Sequence, residues 1–95
     1  MITLQTKVIP HPEVIATVLD NQETVLLHLQ TQQYYTLNET GSRIWAALPQ
    51  AEALTQIGQA LEATYDLTLD QAQQHVLTLV TTLAQEQLVQ VVGAG

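Results

Sequence analysis

Tyr34-Tyr35-Thr36-Leu37-Asn38-Glu39-Thr40-Gly41-Ser42-Arg43-Ile44-Trp45 is the stretch on which the fold turns. Gln33–Leu37 is a short aromatic and β-branched run and reads as a strand. Asn38 follows at once, and its short carboxamide suits a helix N-cap. From Glu39 the apolar period becomes helical: Ile44, Ala47 and Leu48 fall on one face with Trp45 beside them, and Pro49 ends the run. A strand therefore passes into a core helix with no linker. Gly41 weakens the first turn by about 1 kcal/mol relative to Ala. Its reading is close packing at the helix start rather than approach of a ligand. Arg43 falls one turn after Glu39, at ion-pair spacing.

Upstream, Glu13–Asp20 and Glu23–Gln30 are two more strand signals. The polar breaks Asp20-Asn21-Gln22 and Gln30–Gln32 separate them from each other and from Gln33–Leu37. Links this short predict sequential antiparallel pairing. In the middle strand Val25, Leu27 and Leu29 share one face, and Thr24, Leu26 and His28 the other. Before them, Pro10 and Pro12 flank His11, so residues 1–12 read as an arm or edge segment. Downstream, Leu54, Ile57, Gly58, Leu61 and Tyr65 follow helical spacing from near Glu52. Asp66-Leu67-Thr68 breaks that helix, and Thr68 or Asp70 caps a third, with Ala72, Val76, Leu79, Val80 and Leu83 as its apolar stripe. Leu88–Val92 is a short apolar tail, and residues 93–95 should fray. Strands first and helices after give an α+β class: a three-stranded antiparallel sheet followed by three helices. Residues 13–92 form one domain, as 95 residues allow.

Charge narrows function. The formal net charge is −7, with Lys7 and Arg43 the only basic residues apart from three histidines. Phosphate neutralisation needs a basic footprint, so nucleic acid is not an expected partner; the third helix, Asp70–Glu86, has no Lys or Arg at all. The same acidity argues against an anionic membrane surface, and no apolar run is long enough to span a bilayer. There is no cysteine, which excludes disulfides and thiolate chemistry. No signal-peptide pattern occurs at the N-terminus, so the cytoplasm is the expected compartment.

Catalytic constellations are missing as well. His11, His28 and His75 show no metal-helix spacing and read as solvent-facing or partly buried side chains. The acids Glu39, Glu52, Glu62, Asp66, Asp70 and Glu86 are scattered, and those near Asp66 suit a helix junction. Ser42, the one serine, has no nucleophile-elbow context. We expect no catalytic residue, metal or cofactor, hence a binding protein rather than an enzyme.

The stretch from Tyr34 to Trp45, written YYTLNETGSRIW, resembles the signature of the PqqD family, and the likeness extends over residues 13–92. A VLLHL strand precedes it, an LTQIGQALEATYDL helix follows, and LVTTLAQEQLV closes the chain in register. The family's members are recognition elements for ribosomally made, post-translationally modified peptides. The resemblance implies a winged helix-turn-helix-like fold. It implies that a precursor's leader binds antiparallel to the third strand, in a cleft between that strand and the third helix. A free-standing acidic copy also resembles the recognition protein of lasso-peptide pathways, whose partners are a separate leader peptidase and a cyclase. The alternatives are a PqqD-type chaperone serving a radical enzyme in quinone-cofactor or other peptide synthesis, and a subunit that stabilises a partner.

Physical chemistry accommodates that mode. An edge strand presents unpaired N–H and C=O groups, and an added strand takes affinity from them and specificity from side-chain pockets. The expected edge is Gln32, Gln33, Tyr34, Tyr35, Thr36 and Leu37, with Tyr35 on the helix-facing side. The expected helical wall is drawn from Val76, Leu79, Val80 and Leu83, part of which must be core. Main-chain bonds contribute roughly 0.5–1.5 kcal/mol each and buried anchors roughly 1.5–3 kcal/mol each. Ordering the peptide costs roughly 2–5 kcal/mol. Micromolar to nanomolar binding is consistent with those magnitudes.

Overall fold

All three strand signals join one antiparallel sheet in the computed structural model, which describes residues 2–92. The elements in chain order are β1 (Lys7–Pro10), β2 (Val14–Val18), β3 (Thr24–His28), β4 (Gln33–Leu37), α1 (Glu39–Ala47), α2 (Leu54–Thr64), α3 (Leu69–Gln85) and β5 (Val89–Val92). The sheet has the order β2-β3-β4. Its two turns place Gln22 and Gln32 in the left-handed region, with φ of 68° and 61°. Glycine is the usual occupant there, so the residue type hides both turns from a sequence reading.

The two faces of β3 part company. Thr24, Leu26 and His28 are buried, whereas Val25 and Leu27 are half-buried and Leu29 is exposed. The core thus takes the face carrying two polar residues. The Thr24 hydroxyl is satisfied by donating to Ser42 Oγ at 2.7 Å. His28 is 1% exposed, which corrects the expectation of a solvent-facing or partly buried histidine. On the other face, Leu27 stands in a cross-strand row between Ile15 and Tyr34, and no helix among the described residues covers that row: Ile15 and Tyr34 are exposed.

The helix starts explain themselves chemically. Asn38 Oδ1 accepts from the Gly41 N–H at 2.8 Å. A Cβ on Gly41 would stand 3.2 Å from Leu37 Cβ, so glycine there serves the strand-to-helix junction. Ile44, Trp45 and Leu48 face the core, and Arg43 lies 3.7 Å from Glu39 as the spacing predicted. Thr68 and Gln71 make a reciprocal capping box on α3. At its far end Leu88 N–H donates to Leu83 O and Gln87 N–H to Ala84 O, with Gln87 left-handed at φ 61°. This is a Schellman closure with glutamine in the glycine position.

Helix α2 begins at Leu54, later than the expected Glu52, and no side chain caps it. Its first N–H groups are met from outside: Leu54 N–H donates to Thr6 O at 3.0 Å and Thr55 N–H to Leu4 O at 2.9 Å. The segment read as an arm or edge therefore has structural work. Within it β1 pairs antiparallel with β5 (Lys7 opposite Val92, Pro10 opposite Val89), Val8 is buried, and Lys7 Nζ donates to Ala51 O at 2.8 Å. The apolar tail 88–92 is the partner strand that made this possible. Residues 93–95, expected to fray, lie outside the described residues.

Candidate functional site

Which edge of β4 is free follows from hydrogen-bond alternation. Leu29 N–H donates to Glu13 O and Leu19 N–H to Glu23 O, so the odd residues of β3 bond towards β2. Its even residues, Thr24, Leu26 and His28, turn to β4, where they oppose Leu37, Tyr35 and Gln33. The backbone groups of Gln33, Tyr35 and Leu37 are thereby used inside the sheet. Those of Tyr34 and Thr36 point to the open edge, where β4 has no further strand among the described residues.

Beside this edge lies a cleft of about 270 Å³ between β4, the start of α1 and one side of α3. Tyr35 forms its strand side, Gly41 and Ile44 its end, and His75, Thr78, Leu79 and Thr82 its helical wall. The wall residues recur at i, i+3, i+4 and i+7 and so share one face of α3. Toward the other end of β4 the lining passes to a much smaller cavity against His28, Gln33, Tyr35, Glu86 and Leu88.

The expected residues divide by depth. Gln32, Gln33, Tyr34 and Thr36 are exposed and Tyr35 is half-buried, all along the edge strand. Leu79 is half-buried and lines the cleft. Leu37, Val76, Val80 and Leu83 are 0–2% exposed and belong to the core with Leu26 and Ile44. Of the expected wall, Leu79 therefore lines the cleft, and Val76, Val80 and Leu83 are the part taken by the core. His75, Thr78 and Thr82 were missed because they are polar. Their spacing about Leu79 was the available signal. Among the described residues no three His, Cys, Asp or Glu side chains gather as a metal site requires. No helix among them is long and apolar enough to cross a membrane.

Known proteins resemble the chain over most of its length. A family profile described as coenzyme PQQ synthesis protein D (PqqD) matches residues 23–89, from the start of β3 to the start of β5. No curated protein matches. Among solved structures, TbiB1 in complex with the TbiA(beta) leader peptide is 30% identical, with 92% of this chain and 98% of that one covered at a TM-score of 0.78. Lasso peptide synthetase B1 complexed with the leader peptide shares the fold at a TM-score of 0.80, with 24% identity over 88% of this chain and 98% of that one.

Proposed function

Since the chain belongs to the PqqD family, we propose that it is a recognition element that captures the leader of a ribosomally synthesised precursor peptide. The leader joins the sheet as a strand antiparallel to β4, exchanging main-chain hydrogen bonds with Tyr34 and Thr36. Its side chains opposite Gln33, Tyr35 and Leu37 enter the cleft against Leu79, and the alternate ones lie over the outer face beside Tyr34. We read the fold as winged helix-turn-helix-like, a type in which a helix reads DNA. Here α3 carries no basic residue, consistent with a peptide guest. The observation that carries the reading is the 30% identity, over nearly the whole chain, to a protein held in complex with a leader peptide.

The setting is a lasso-peptide pathway in the cytoplasm. The chain supplies recognition without chemistry and delivers the precursor to a separate leader peptidase and a cyclase. The family description favours one second reading, a peptide chaperone in quinone-cofactor synthesis, in which the processing partner is a radical enzyme. Titrating a fluorescein-labelled leader from the precursor encoded beside this gene tests the proposal by anisotropy. Saturable micromolar or tighter binding supports leader capture. Folded protein with no binding at high micromolar concentrations refutes it, and the genes flanking that precursor separate the two settings.

A further inference from the structure

The leader-capture reading leaves His28 unexplained. Its ring is buried, and a hydrogen-bonded sheet position holds it there opposite Gln33. Gln30 N–H donates to its Nδ1 at 3.2 Å, so Nδ1 is the lone-pair nitrogen and the neutral ring carries its hydrogen on Nε2. That Nε2 is buried with no hydrogen-bond partner among the described residues. His11 packs on the ring with centroids 4.8 Å apart, but its own Nδ1 already accepts from Glu13 N–H at 3.0 Å. A buried donor without an acceptor costs roughly 1–3 kcal/mol, so a leucine here would be the more stable choice. His28 also lines the small cavity at the Gln33 end of β4.

We propose that this cavity is a specificity subsite for a small hydroxyl side chain, serine or threonine, of the captured peptide, with His28 as the residue that selects it. The inference rests on strand capture along β4. The open space is about 10 Å³, room for one oxygen and little more. The hydroxyl oxygen accepts from Nε2–H. Its own hydrogen is left for Gln33 or the Glu86 carboxylate, which line the same cavity. A carboxylate guest is disfavoured beside Glu86 in a chain of net charge −7. Register locates the residue. An antiparallel guest meets Leu37 before Gln33, so the hydroxyl residue follows the one opposite Tyr35 by two positions and the one opposite Leu37 by four.

The test is a binding cycle on the full chain with the synthetic leader encoded beside the gene. Each serine is replaced by alanine and each threonine by valine, against the native protein and His28→Leu. The expected result is one position where loss of the hydroxyl weakens native binding about tenfold or more and leaves His28→Leu binding unchanged. His28→Leu alone should melt no lower than the native protein while binding the unmodified leader at least about tenfold more weakly. Those opposite signs are not expected of a merely structural histidine. In the native protein the imidazole Nε2–H proton resonance should move downfield with the leader and stay in place with the hydroxyl-less one, a readout that holds if His28→Leu fails to fold. A leader that binds His28→Leu as tightly as the native protein, or that lacks a hydroxyl in that register, overturns the subsite and leaves strand capture standing. A leader that does not bind the native protein overturns both.

Discussion

Thr36→Pro separates strand capture from every other way of occupying the cleft. The Thr36 N–H faces the open edge and takes no part in pairing with β3, as the alternation of bonded pairs requires. Proline is tolerated on an edge strand when its missing N–H faces outward, and the extended residue before it already has the backbone proline prefers. The free fold should therefore lose little. A guest strand makes up to four bonds with Tyr34 and Thr36. The substitution deletes one donor, and its ring crowds the guest carbonyl that would have accepted, disturbing a second bond. At roughly 0.5–1.5 kcal/mol per bond the loss is about 1–3 kcal/mol, or about 5- to 150-fold in affinity. Thr36→Val keeps the N–H and should bind as the native protein does. Tyr35→Pro, one residue earlier, removes a bond into β3 and should lower the melting temperature instead. Anisotropy titration of the labelled leader, with thermal melts by circular dichroism, reads all three. Native affinity in a folded Thr36→Pro protein would show that no strand pairs along this edge, whatever the fate of the side-chain contacts.

Depth on α3 predicts a second contrast. Leu79→Ala should cut leader affinity about tenfold or more with a modest stability loss. Val80→Asp buries an unpaired carboxylate in the core and should unfold the chain, as a melt would show. Gln87→Gly relieves the left-handed C-terminal position of α3 and should raise stability by about 1 kcal/mol in urea denaturation, with leader affinity unchanged. A chain beginning at Lys7 loses the carbonyls of Leu4 and Thr6 from the start of α2. It should be less stable by roughly 1–3 kcal/mol yet bind leader equally well once folded; weaker folding-corrected binding would mean the segment acts on the cleft.

Much of this was legible from residue type and spacing. The strand-to-helix junction at Leu37–Asn38 could be read because a strand run, a capping side chain and a helical period meet there without a gap. The edge strand could be read for the same reason, since Tyr35 and Leu37 share the parity that leads into the core. What escaped depended on partners distant in sequence. Nothing local in Lys7–Pro10 announces that Val89–Val92 will pair with it, or that Thr6 will cap a helix beginning at Leu54. The burial of His28 escaped because both faces of β3 carry apolar residues, and α1 rather than hydropathy selects the core face. Which part of the α3 stripe is core was not legible either: the most apolar positions, Val76, Val80 and Leu83, are buried, while Leu79 and its polar neighbours line the cleft.

The pairing of β1 with β5 has a consequence for how the molecule is made. The ribbon joins Lys7 to Val92, so its closure waits until nearly the whole described chain has emerged from the ribosome. By then β2, β3 and β4 have long been available to pair, and the Tyr34–Thr36 edge exists before α3 is there to wall it. For that interval the nascent chain offers an adhesive strand to any neighbour, including another nascent copy. Closing the ribbon thus ties the last step of folding to the emergence of Val89–Val92, which follow α3 in the chain, so the edge is walled only shortly before the ribbon locks.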